Sequence, residues 1–226
     1  MKRLNISLIQ SVLHWEDPLA NREMFAAKIE QLNSSDLILL PEMFTTGFSM
    51  DSKRLAEGMD GESIAWMLEM SIKSGAVICG SLIIEENGNY YNRLIWARPD
   101  GKFQHYDKKH LFRMANEDDH FEPGSDRLIV ELKGWKVCPL VCYDLRFPVY
   151  SRNRYETDRK SYARAEYDLL LYIANWPAAR SADWRKLLYA RAIENQVYVA
   201  GLNRIGEDGK GIAYDGSSML LNAKGE

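Results

Sequence analysis

The sequence predicts an α/β fold in which helices cover the faces of β-sheets. Short apolar, β-rich runs alternate with amphipathic helical patterns along its 226 residues. No internal repeat, low-complexity tract or Pro/Gly/Ser-rich linker interrupts this alternation. A chain of this size buries roughly 70% of its unfolded surface. We therefore predict one domain, residues 1–226, that needs neither a disulfide nor a metal to stay folded.

The first half of the chain predicts five strands and two helices. Apolar and β-branched residues predominate in five segments, at residues 4–10, 37–40, 76–84, 90–97 and 103–106. Residues 21–32 and 62–74 predict amphipathic helices, because apolar residues recur on one face of each. The segment 37–40 is wholly apolar, so we expect that strand to be buried.

The second half continues the same alternation. Strands are predicted in five further segments, at residues 127–130, 135–141, 169–173, 197–202 and 218–221. A helix is predicted at 183–194, and the glycines within 206–209 predict a hairpin turn. Residues 151–166 carry charges of mixed sign, which favours a solvated helix or loop with local ion pairs over a nucleic-acid patch.

Composition argues against several partners. With 29 Lys and Arg against 32 Asp and Glu, the net charge is −3, so the basic excess that binds phosphate backbones is missing. No apolar run approaches the roughly 20 residues of a bilayer span, and the N-terminus lacks the apolar region of a signal peptide. The 3 cysteines form no dense disulfide framework. We predict a cytoplasmic protein that binds neither nucleic acid nor membrane.

Three strand ends carry side chains that could do chemistry, because catalytic groups in α/β folds collect at the carboxyl ends of strands. Glu42 follows the apolar strand 37–40 and Pro41. Partial desolvation there would suit its carboxylate to accept a proton. On these residues alone, an ordinary exposed loop glutamate is the simpler interpretation.

The other two strand ends offer a cation and a thiol. Lys108 and Lys109 follow strand 103–106, and an inward ammonium could stabilise an oxyanion, although adjacent lysines usually lie on a solvated surface. Cys142 closes strand 135–141 before a polar turn, where free backbone N–H groups can bind an anion. Most free cysteines are buried structural residues, so both interpretations of Cys142 stay open.

Competing motifs are incomplete. Cys138 and Cys142 have a CxxxC spacing, but no second pair of cysteines or histidines completes a zinc site. The sequence has no GxSxG segment, which argues against a serine hydrolase. The glycines within 206–211 lack a following helix, so they predict a hairpin rather than a phosphate-binding loop. No metal site is predicted.

The three strand-end segments resemble motifs of the nitrilase, or carbon–nitrogen hydrolase, superfamily. LPEMF at residues 40–44 is similar to its glutamate motif, YDKKHLF at 106–112 to its lysine motif, and VCYDLRFP at 141–148 to its cysteine motif. The three occur in the family's order. The resemblance continues through residues 91–92, 175–177 and 191–195, so it covers nearly the whole chain.

The resemblance implies a four-layer α-β-β-α sandwich and a set of catalytic residues. Cys142 corresponds to the nucleophile, Glu42 to the proton acceptor, and Lys108, two residues before a histidine, to the oxyanion donor. Glu117 corresponds to a second glutamate that precedes the phenylalanine of an F-x-P-G turn by four residues and holds the lysine and the substrate amide. The implied reaction uses no metal or organic cofactor. The family's mode of association implies a homodimer.

Within the superfamily, residues 108–117 most resemble bacterial omega-amidases. This resemblance implies hydrolysis of the terminal amide of a small carboxylated amide such as 2-oxoglutaramate, through a cysteine thioester and with release of ammonia. Two alternatives are an amidase for deaminated glutathione or N-carbamoyl compounds, and a nitrilase-like binding protein without activity.

A pocket that binds a carboxylated substrate must offer the carboxylate a cation or hydrogen-bond donors, because burying an unpaired carboxylate is energetically unfavourable. Arg146 and Arg113 lie within a few residues of the candidate catalytic groups, and arginine suits bidentate carboxylate binding. Each also has a structural alternative: Arg146 could pair with Asp144 or cap a turn, and Arg113 could be solvated. The residues expected to bind substrate are Tyr143, through its backbone N–H, the cations Arg146 and Arg113, and the walls Phe44, Phe112 and Trp176.

The sequence departs from the family pattern in three places. Val149 stands where the cysteine motif commonly has a glutamate. The Arg- and Tyr-rich stretch from Ser151 is longer than usual. The chain ends at Glu226, where family members normally continue through another strand and a C-terminal tail, so a domain without that tail is expected.

Overall fold

The computed structural model describes residues 3–156 and 164–226. Within these residues the strands are β1 (Ile6–Leu8), β2 (Leu37–Leu39), β3 (Val77–Glu86), β4 (Asn89–Ala97), β5 (Phe103–Asp107), β6 (Val130–Leu132), β7 (Trp135–Val141), β8 (Tyr155–Glu156), β9 (Arg164–Ala165), β10 (Leu169–Ala174), β11 (Tyr198–Asn203), β12 (Ile205–Glu207), β13 (Ala213–Asp215) and β14 (Met219–Leu221). The α-helices there are α1 (Pro18–Glu30), α2 (Ser52–Leu55), α3 (Glu62–Ser74), α4 (Pro148–Ser151) and α5 (Ser181–Asn195).

Two five-stranded sheets form the centre of the molecule. The first has the order β1-β2-β3-β4-β5, with β1, β2 and β3 parallel and the last two strands antiparallel. The second has the order β14-β11-β10-β7-β6, with β11, β10 and β7 parallel between two antiparallel edge strands. Parallel neighbours end at the same edge of a sheet, so the loops after β7 and β10 can contribute to one site.

The sheets pack face to face because successive side chains of a strand point to opposite sides. In β2, Leu37 and Leu39 enter a core that also contains residues of the second sheet, such as Val137 and Leu171. The intervening Ile38 enters a separate core on the outer side of the first sheet. The wholly apolar sequence of β2 is therefore explained by burial on both faces, as the sequence predicts.

Helices cover the outer faces of both sheets. Phe25 of α1 and Met67 of α3 pack in the same core as Ile38. On the other side, Leu188 of α5 packs over the second sheet so closely that a Cβ atom at Gly201 would lie 2.5 Å from its Cδ1. The order of layers is α-β-β-α, which confirms the predicted four-layer sandwich.

The largest differences from the predicted elements are at their ends. Helix α1 begins at Pro18, three residues before the predicted start at 21, because Asp17 accepts a hydrogen bond from the amide of Ala20 at 3.0 Å and proline suits the first helical turn. Strand β1 spans Ile6–Leu8 rather than 4–10. The short helices α2 and α4 are not predicted from the sequence.

The hairpin predicted at residues 206–209 lies slightly further along the chain. Gly206 and Glu207 are still in strand β12, and the turn follows them. Asp208 fixes that turn, because its Oδ1 accepts hydrogen bonds from the amides of Lys210 at 2.9 Å and Ile212 at 3.0 Å.

The charged stretch 151–166 is only partly described. Residues 157–163 of the predicted solvated helix or loop lie outside the described residues. On either side of them the two-residue strands β8 and β9 pair in antiparallel fashion, which the sequence does not predict. Among the residues that the structure describes, no helix is both long and apolar enough to cross a bilayer.

Candidate active site

The candidate catalytic residues meet where strands of the two sheets end. Glu42 lies in the loop after β2, Lys108 directly follows β5, and Cys142 directly follows β7. Asn175 directly follows β10, the neighbour of β7. The structure therefore brings together side chains up to 133 positions apart in sequence, as in the bond between Glu42 and Asn175.

Lys108 is fully buried between two carboxylates. Its Nζ donates to Oε1 of Glu42 at 2.8 Å and to both carboxylate oxygens of Glu117 at 2.9 Å. All three side chains have 0% exposure. A buried ammonium is tolerated only when it is paired and hydrogen-bonded, and here two formal negative charges surround it. The neighbouring Lys109 has no ion pair among the described residues, so the two lysines have different surroundings.

Asn92 of strand β4 links the two carboxylates. Its Nδ2 donates to Oε1 of Glu42 at 2.8 Å and to Oε1 of Glu117 at 3.2 Å. Its Oδ1 accepts a hydrogen bond from the hydroxyl of Ser81 at 2.8 Å, and that hydroxyl accepts from the amide of Met43 at 2.8 Å. Ser81 therefore fixes which end of the Asn92 amide faces the carboxylates.

Main-chain groups hold the two glutamates in place. Oε2 of Glu42 accepts a hydrogen bond from the amide of Asn175 at 2.8 Å, and the Asn175 side-chain Nδ2 donates to the Glu42 carbonyl at 2.6 Å. Oε2 of Glu117 accepts from the amide of Phe112 at 2.6 Å. The side-chain Oδ1 of Asn175 is buried and has no hydrogen-bond partner within the described part of the chain.

Cys142 occupies a strained backbone position at the start of a short 3-10 helix, Cys142–Arg146. Its φ of 43° lies in the left-handed region, which is uncommon outside glycine and clusters at functional sites. The residue is 8% exposed, and its Sγ lies 3.9 Å from the carbonyl oxygen of Asn175. The amide of the next residue, Tyr143, has no acceptor among the described residues.

Asp144 fastens the Cys142 turn to the Lys108 segment. Its Oδ2 accepts from the hydroxyl of Tyr106 at 2.8 Å and from the amide of Val141 at 3.1 Å. Its Oδ1 accepts from the amide of His110 at 2.9 Å and lies 2.8 Å from the Nδ1 of the same residue. The buried carboxylate therefore ties the two sides of the site into one rigid unit.

Electrostatics keep the thiol neutral and the lysine charged. Burial, followed by the nearby Glu42 carboxylate, raises the pKa of the Cys142 thiol, and the Lys108 cation opposes this increase only in part. For Lys108, burial lowers the pKa, but Glu117 and Glu42 outweigh it and the net pKa is raised. Burial also raises the pKa of Glu117, against the effect of Lys108. Cys138 is buried too, and its pKa rises to about 12.

A cavity of about 260 Å³ opens above Cys142. Its described lining combines apolar and aromatic side chains with two arginines and holds no carboxylate. The lining residues are Phe48, Phe112, Met114, Ala115, Cys142, Tyr143, Arg146, Asn175, Trp176, Pro177, Arg180, Ile212 and Tyr214. Four residues expected to bind substrate are on this list: Phe112, Tyr143, Arg146 and Trp176.

The structure places the other two expected substrate-binding residues elsewhere. Phe44 is fully buried in the outer core, where it packs edge-on against Phe25 and in a tilted arrangement against Trp66, and its ring is not part of the described cavity lining. Arg113 has an 86% exposed side chain and pairs with Asp118 at 3.1 Å, again away from that lining. The structure therefore does not bring Phe44 or Arg113 to the described lining, although both are close to candidate catalytic residues in sequence.

Arg146 lines the cavity but is already paired. Its Nη2 lies 2.7 Å from Oδ2 of Asp183, the first acidic residue of helix α5. The partner is therefore Asp183 and not Asp144, the alternative that the sequence suggested. The guanidinium also lies over the ring of Trp176, with its Cζ 5.0 Å from the ring centroid.

Several site residues are not predicted individually from the sequence. Asn92 and Asn175 occur only within segments that carry the family resemblance. Arg180 lies a few residues after Asn175. Since strand β10 ends just before Asn175, the end of this predicted strand could have identified the region that contains Arg180. Phe48 and Ile212 come from distant loops and Tyr214 from strand β13, and no local signal identifies them.

This arrangement can support covalent acyl transfer. A buried thiol lies beside a carboxylate, an ammonium and a free main-chain amide, at the bottom of a cavity large enough for a short acyl chain.

Comparisons with known proteins agree with this geometry. The family description carbon-nitrogen hydrolase matches residues 7–226. An omega-amidase YafV from Yersinia enterocolitica is 46% identical over 226 residues, covering 100% of this chain and 84% of the relative. A 2-oxoglutaramate amidase from Bacillus subtilis is 31% identical over 224 residues, covering 97% of this chain and 83% of the relative. A solved CN-hydrolase superfamily structure from Xanthomonas campestris, with an arsenic adduct in its active site, has a TM-score of 0.96 at 47% identity, covering 100% of this chain and 85% of that one.

Proposed function

The chain belongs to the carbon–nitrogen hydrolase family and is a hydrolase of carbon–nitrogen bonds other than peptide bonds, and we propose that it is an omega-amidase. It hydrolyses the terminal amide of a small carboxylated amide, with 2-oxoglutaramate as the leading substrate, and releases ammonia. The observation that carries this proposal is the buried set of Glu42, Lys108 and Glu117 beside Cys142 at the bottom of a small cavity. The names of two relatives, omega-amidase and 2-oxoglutaramate amidase, support the substrate.

In this proposal Cys142 is the nucleophile and Glu42 is the general base. The raised pKa of Cys142 means that the resting group is a thiol, so its proton must leave as sulfur attacks the amide carbon. Glu42 accepts that proton and then gives it to the departing nitrogen, so that ammonia leaves and a thioester remains. The same carboxylate next removes a proton from water, whose oxygen attacks the thioester and releases the carboxylic acid and the thiol.

The tetrahedral oxyanion receives hydrogen bonds from Lys108 and from the amide of Tyr143. Lys108 is held as a cation by its two carboxylates, and the Tyr143 amide has no other acceptor among the described residues. The Tyr143 amide is fixed in place before the reaction and can stabilise developing charge without reorganisation, whereas Lys108 must turn one N–H from a glutamate oxygen to the oxyanion. Glu117 is the positioning residue that holds the Lys108 ammonium and, through Phe112, one wall of the cavity.

The intact polar set argues against a binding protein without activity. Such a protein would have no reason to keep an ammonium and two carboxylates fully buried, since an apolar replacement of similar volume is often neutral or stabilising. The arginines of the cavity lining favour an anionic substrate over a neutral amide. Phe112 and Trp176 give the cavity walls that suit a short acyl chain.

We also propose that each chain forms one catalytic domain and that two chains associate as a homodimer in the cytoplasm. Cys79, Cys138 and Cys142 are all free thiols, which suits a reducing compartment. Tyr189 and Ile193 of helix α5 are large apolar residues with exposed side chains, which suits packing against a second copy. Light scattering coupled to size exclusion tests the dimer: a monomer mass at micromolar concentration would contradict it.

Ammonia release from a panel of amides tests the function. The panel contains 2-oxoglutaramate, deaminated glutathione, an N-carbamoyl amino acid and pentanamide, and Cys142→Ala is the control for each. We expect the highest kcat/KM for 2-oxoglutaramate and no release by the variant. A higher value for deaminated glutathione or the carbamoyl compound would replace the proposed substrate, and no release from any amide would support the binding protein.

A further inference from the structure

The two arginines of the cavity lining differ in how their charges are balanced. Arg146 forms an ion pair with Asp183, and the hydrogen bond from Arg146 lowers the pKa of that carboxyl, so the pair is charged at neutral pH. Arg180 forms no direct ion pair with a carboxylate in residues 3–156 or 164–226, although its charge, after those of Arg146 and Lys186, also lowers the pKa of Asp183. It is therefore the cation of the described lining that has no carboxylate in direct contact.

Arg180 is nevertheless held in a defined place. Its carbonyl accepts a hydrogen bond from the indole Nε1 of Trp176 at 2.8 Å, which fixes the main chain at the start of helix α5. Its guanidinium lies over the ring of Phe112, with Cζ 5.3 Å from the centroid, and its Nη2 lies 3.7 Å from the sulfur of Met114. Trp176, Phe112 and Met114 all line the same cavity.

These contacts position the guanidinium without neutralising it. A thioether sulfur is a weak acceptor, and an aromatic ring carries no net charge. An arginine has five N–H donors, so most of them are free to bind an anion. The described lining holds no carboxylate, so an anion beside Arg180 would have no acidic side chain of the lining next to it.

We propose that Arg180 determines specificity by binding the far carboxylate of the substrate while the amide lies at Cys142. This inference rests on the proposed function, and it selects the cation that performs the recognition. Arg146 is the weaker candidate because a substrate carboxylate would have to compete with Asp183 for it. Arg113 is directed away from the described lining. Arg180 thus takes the role that the sequence assigned to Arg146 and Arg113.

The test compares an acid and a neutral amide in four proteins. Hydrolysis of 2-oxoglutaramate and of pentanamide, which has a carbon chain of equal length but neither the carboxylate nor the 2-oxo group, is measured in the wild type, Arg180→Gln, Arg180→Lys and Arg185→Gln. Arg185 is the matched control, because it is an exposed arginine in the first turns of helix α5, five positions after Arg180, and contacts the Ser217 hydroxyl outside the cavity. Inhibition by glutarate gives a second readout that involves no chemical step.

For Arg180→Gln we expect kcat/KM for 2-oxoglutaramate to fall about 10- to 100-fold, chiefly through KM, the range for a lost hydrogen bond to a charged group. The value for pentanamide should change less than about twofold, and the inhibition constant of glutarate should rise in parallel. Arg180→Lys should recover part of the loss, since lysine restores charge but not the planar fork. Arg185→Gln should match the wild type.

The outcomes separate the inference from the function that it rests on. Equal hydrolysis of acid and neutral amide by the wild type would overturn the proposed function itself. A wild-type preference for the acid that survives in Arg180→Gln would overturn only the role of Arg180. Equal losses on both substrates would also overturn it, because they would show that Arg180 merely supports Phe112. If Arg180→Gln does not fold, Arg180→Lys gives the same comparison.

Discussion

The inner and outer ends of the cavity are built in different ways. The inner end consists of Cys142 at the cavity floor and of the buried residues behind it, Glu42, Asn92, Lys108 and Glu117, which are joined by hydrogen bonds among their charged and polar groups and to main-chain amides. The outer end, defined by Phe112, Met114, Arg146, Trp176 and Arg180, consists of aromatic rings, a thioether and cations, and Met114 is 74% exposed. Under the proposed function, the inner end performs the chemistry and the outer end selects the substrate.

Loss of the general base should give the largest effect among the charged residues. Glu42→Gln keeps the shape of the side chain but cannot accept a proton, so we expect kcat to fall about 10²- to 10⁴-fold. Steady-state ammonia release measures this loss. Glu122→Gln, an exposed glutamate near Glu117, is the control and should keep wild-type activity. Comparable losses in both variants would contradict the assignment.

Lys108 and Lys109 offer a matched pair. Lys108→Met removes an oxyanion donor and should lower kcat about 10²- to 10³-fold, the range for one such donor. It also leaves two buried carboxylates unpaired, so the free energy of unfolding should fall by about 3–5 kcal/mol. Lys109→Met should change neither quantity appreciably, because its ammonium has no ion-pair partner among the described residues.

Circular dichroism and urea titration of both lysine variants separate lost chemistry from lost folding. If Lys108→Met stays as stable as the wild type, the account of the buried ion pairs is wrong. If Lys109→Met loses as much activity as Lys108→Met, the two neighbours share a role that the structure does not assign to Lys109.

Asn92 tests whether the inner end acts as a unit. Asn92→Ala removes donors from both glutamates, and a lost hydrogen bond to a charged group corresponds to about 1.5–3 kcal/mol, so kcat should fall about 10- to 100-fold. Ser81→Ala removes only the hydrogen bond from the Ser81 hydroxyl to Oδ1 of Asn92, so the decrease in kcat should be smaller than in Asn92→Ala. If kcat falls further in Ser81→Ala than in Asn92→Ala, Ser81 does not act on the glutamates through Asn92.

The thiol gives a pH-dependent prediction. Because burial and the Glu42 carboxylate raise the pKa of Cys142, the protein should hold a neutral thiol well above the ordinary cysteine pKa of about 8.5. The thiolate absorbance of the wild type minus that of Cys142→Ser should therefore stay flat between pH 6 and about 8.5. Glu42→Gln should lower that pKa, since it removes a negative charge and leaves Lys108. A thiolate step near neutral pH in the wild type would contradict this electrostatic account.

The outer end should tolerate change far better than the inner end. Met114 is largely exposed, so Met114→Ala should alter the free energy of unfolding by no more than about 0.5 kcal/mol. Its kcat on 2-oxoglutaramate should stay close to wild type, while KM rises slightly because Arg180 loses a neighbour. Urea titration measures the free energy of unfolding, and steady-state kinetics measure kcat and KM. A kcat loss as large as that of Asn92→Ala would erase the distinction between the two ends.

The same contrast explains what the sequence could predict. Strand ends are visible in sequence because apolar runs stop there, so Glu42, Lys108 and Cys142 could be identified beside the family motifs. The α/β class follows from the alternation of apolar strands and amphipathic helices, whereas the four layers are implied only by the family resemblance. The outer end is assembled from segments that are distant in sequence, such as those carrying Phe48 and Tyr214, and no local signal brings them to one cavity. That is why Phe44 was expected in the cavity wall and Arg180 was not.

The central claim, that Cys142 forms a thioester with the acyl part of the substrate, has a direct measurement. Wild-type protein is mixed with excess 2-oxoglutaramate, quenched in acid within milliseconds to seconds, digested with a protease at low pH and analysed by mass spectrometry. Cys138→Ala serves as a matched control, because Cys138 is a buried cysteine four positions earlier in sequence. The account predicts an acyl adduct on the peptide that contains Cys142, present in Cys138→Ala and absent in Cys142→Ala. An adduct on Cys138, or turnover that persists in Cys142→Ala, would contradict it.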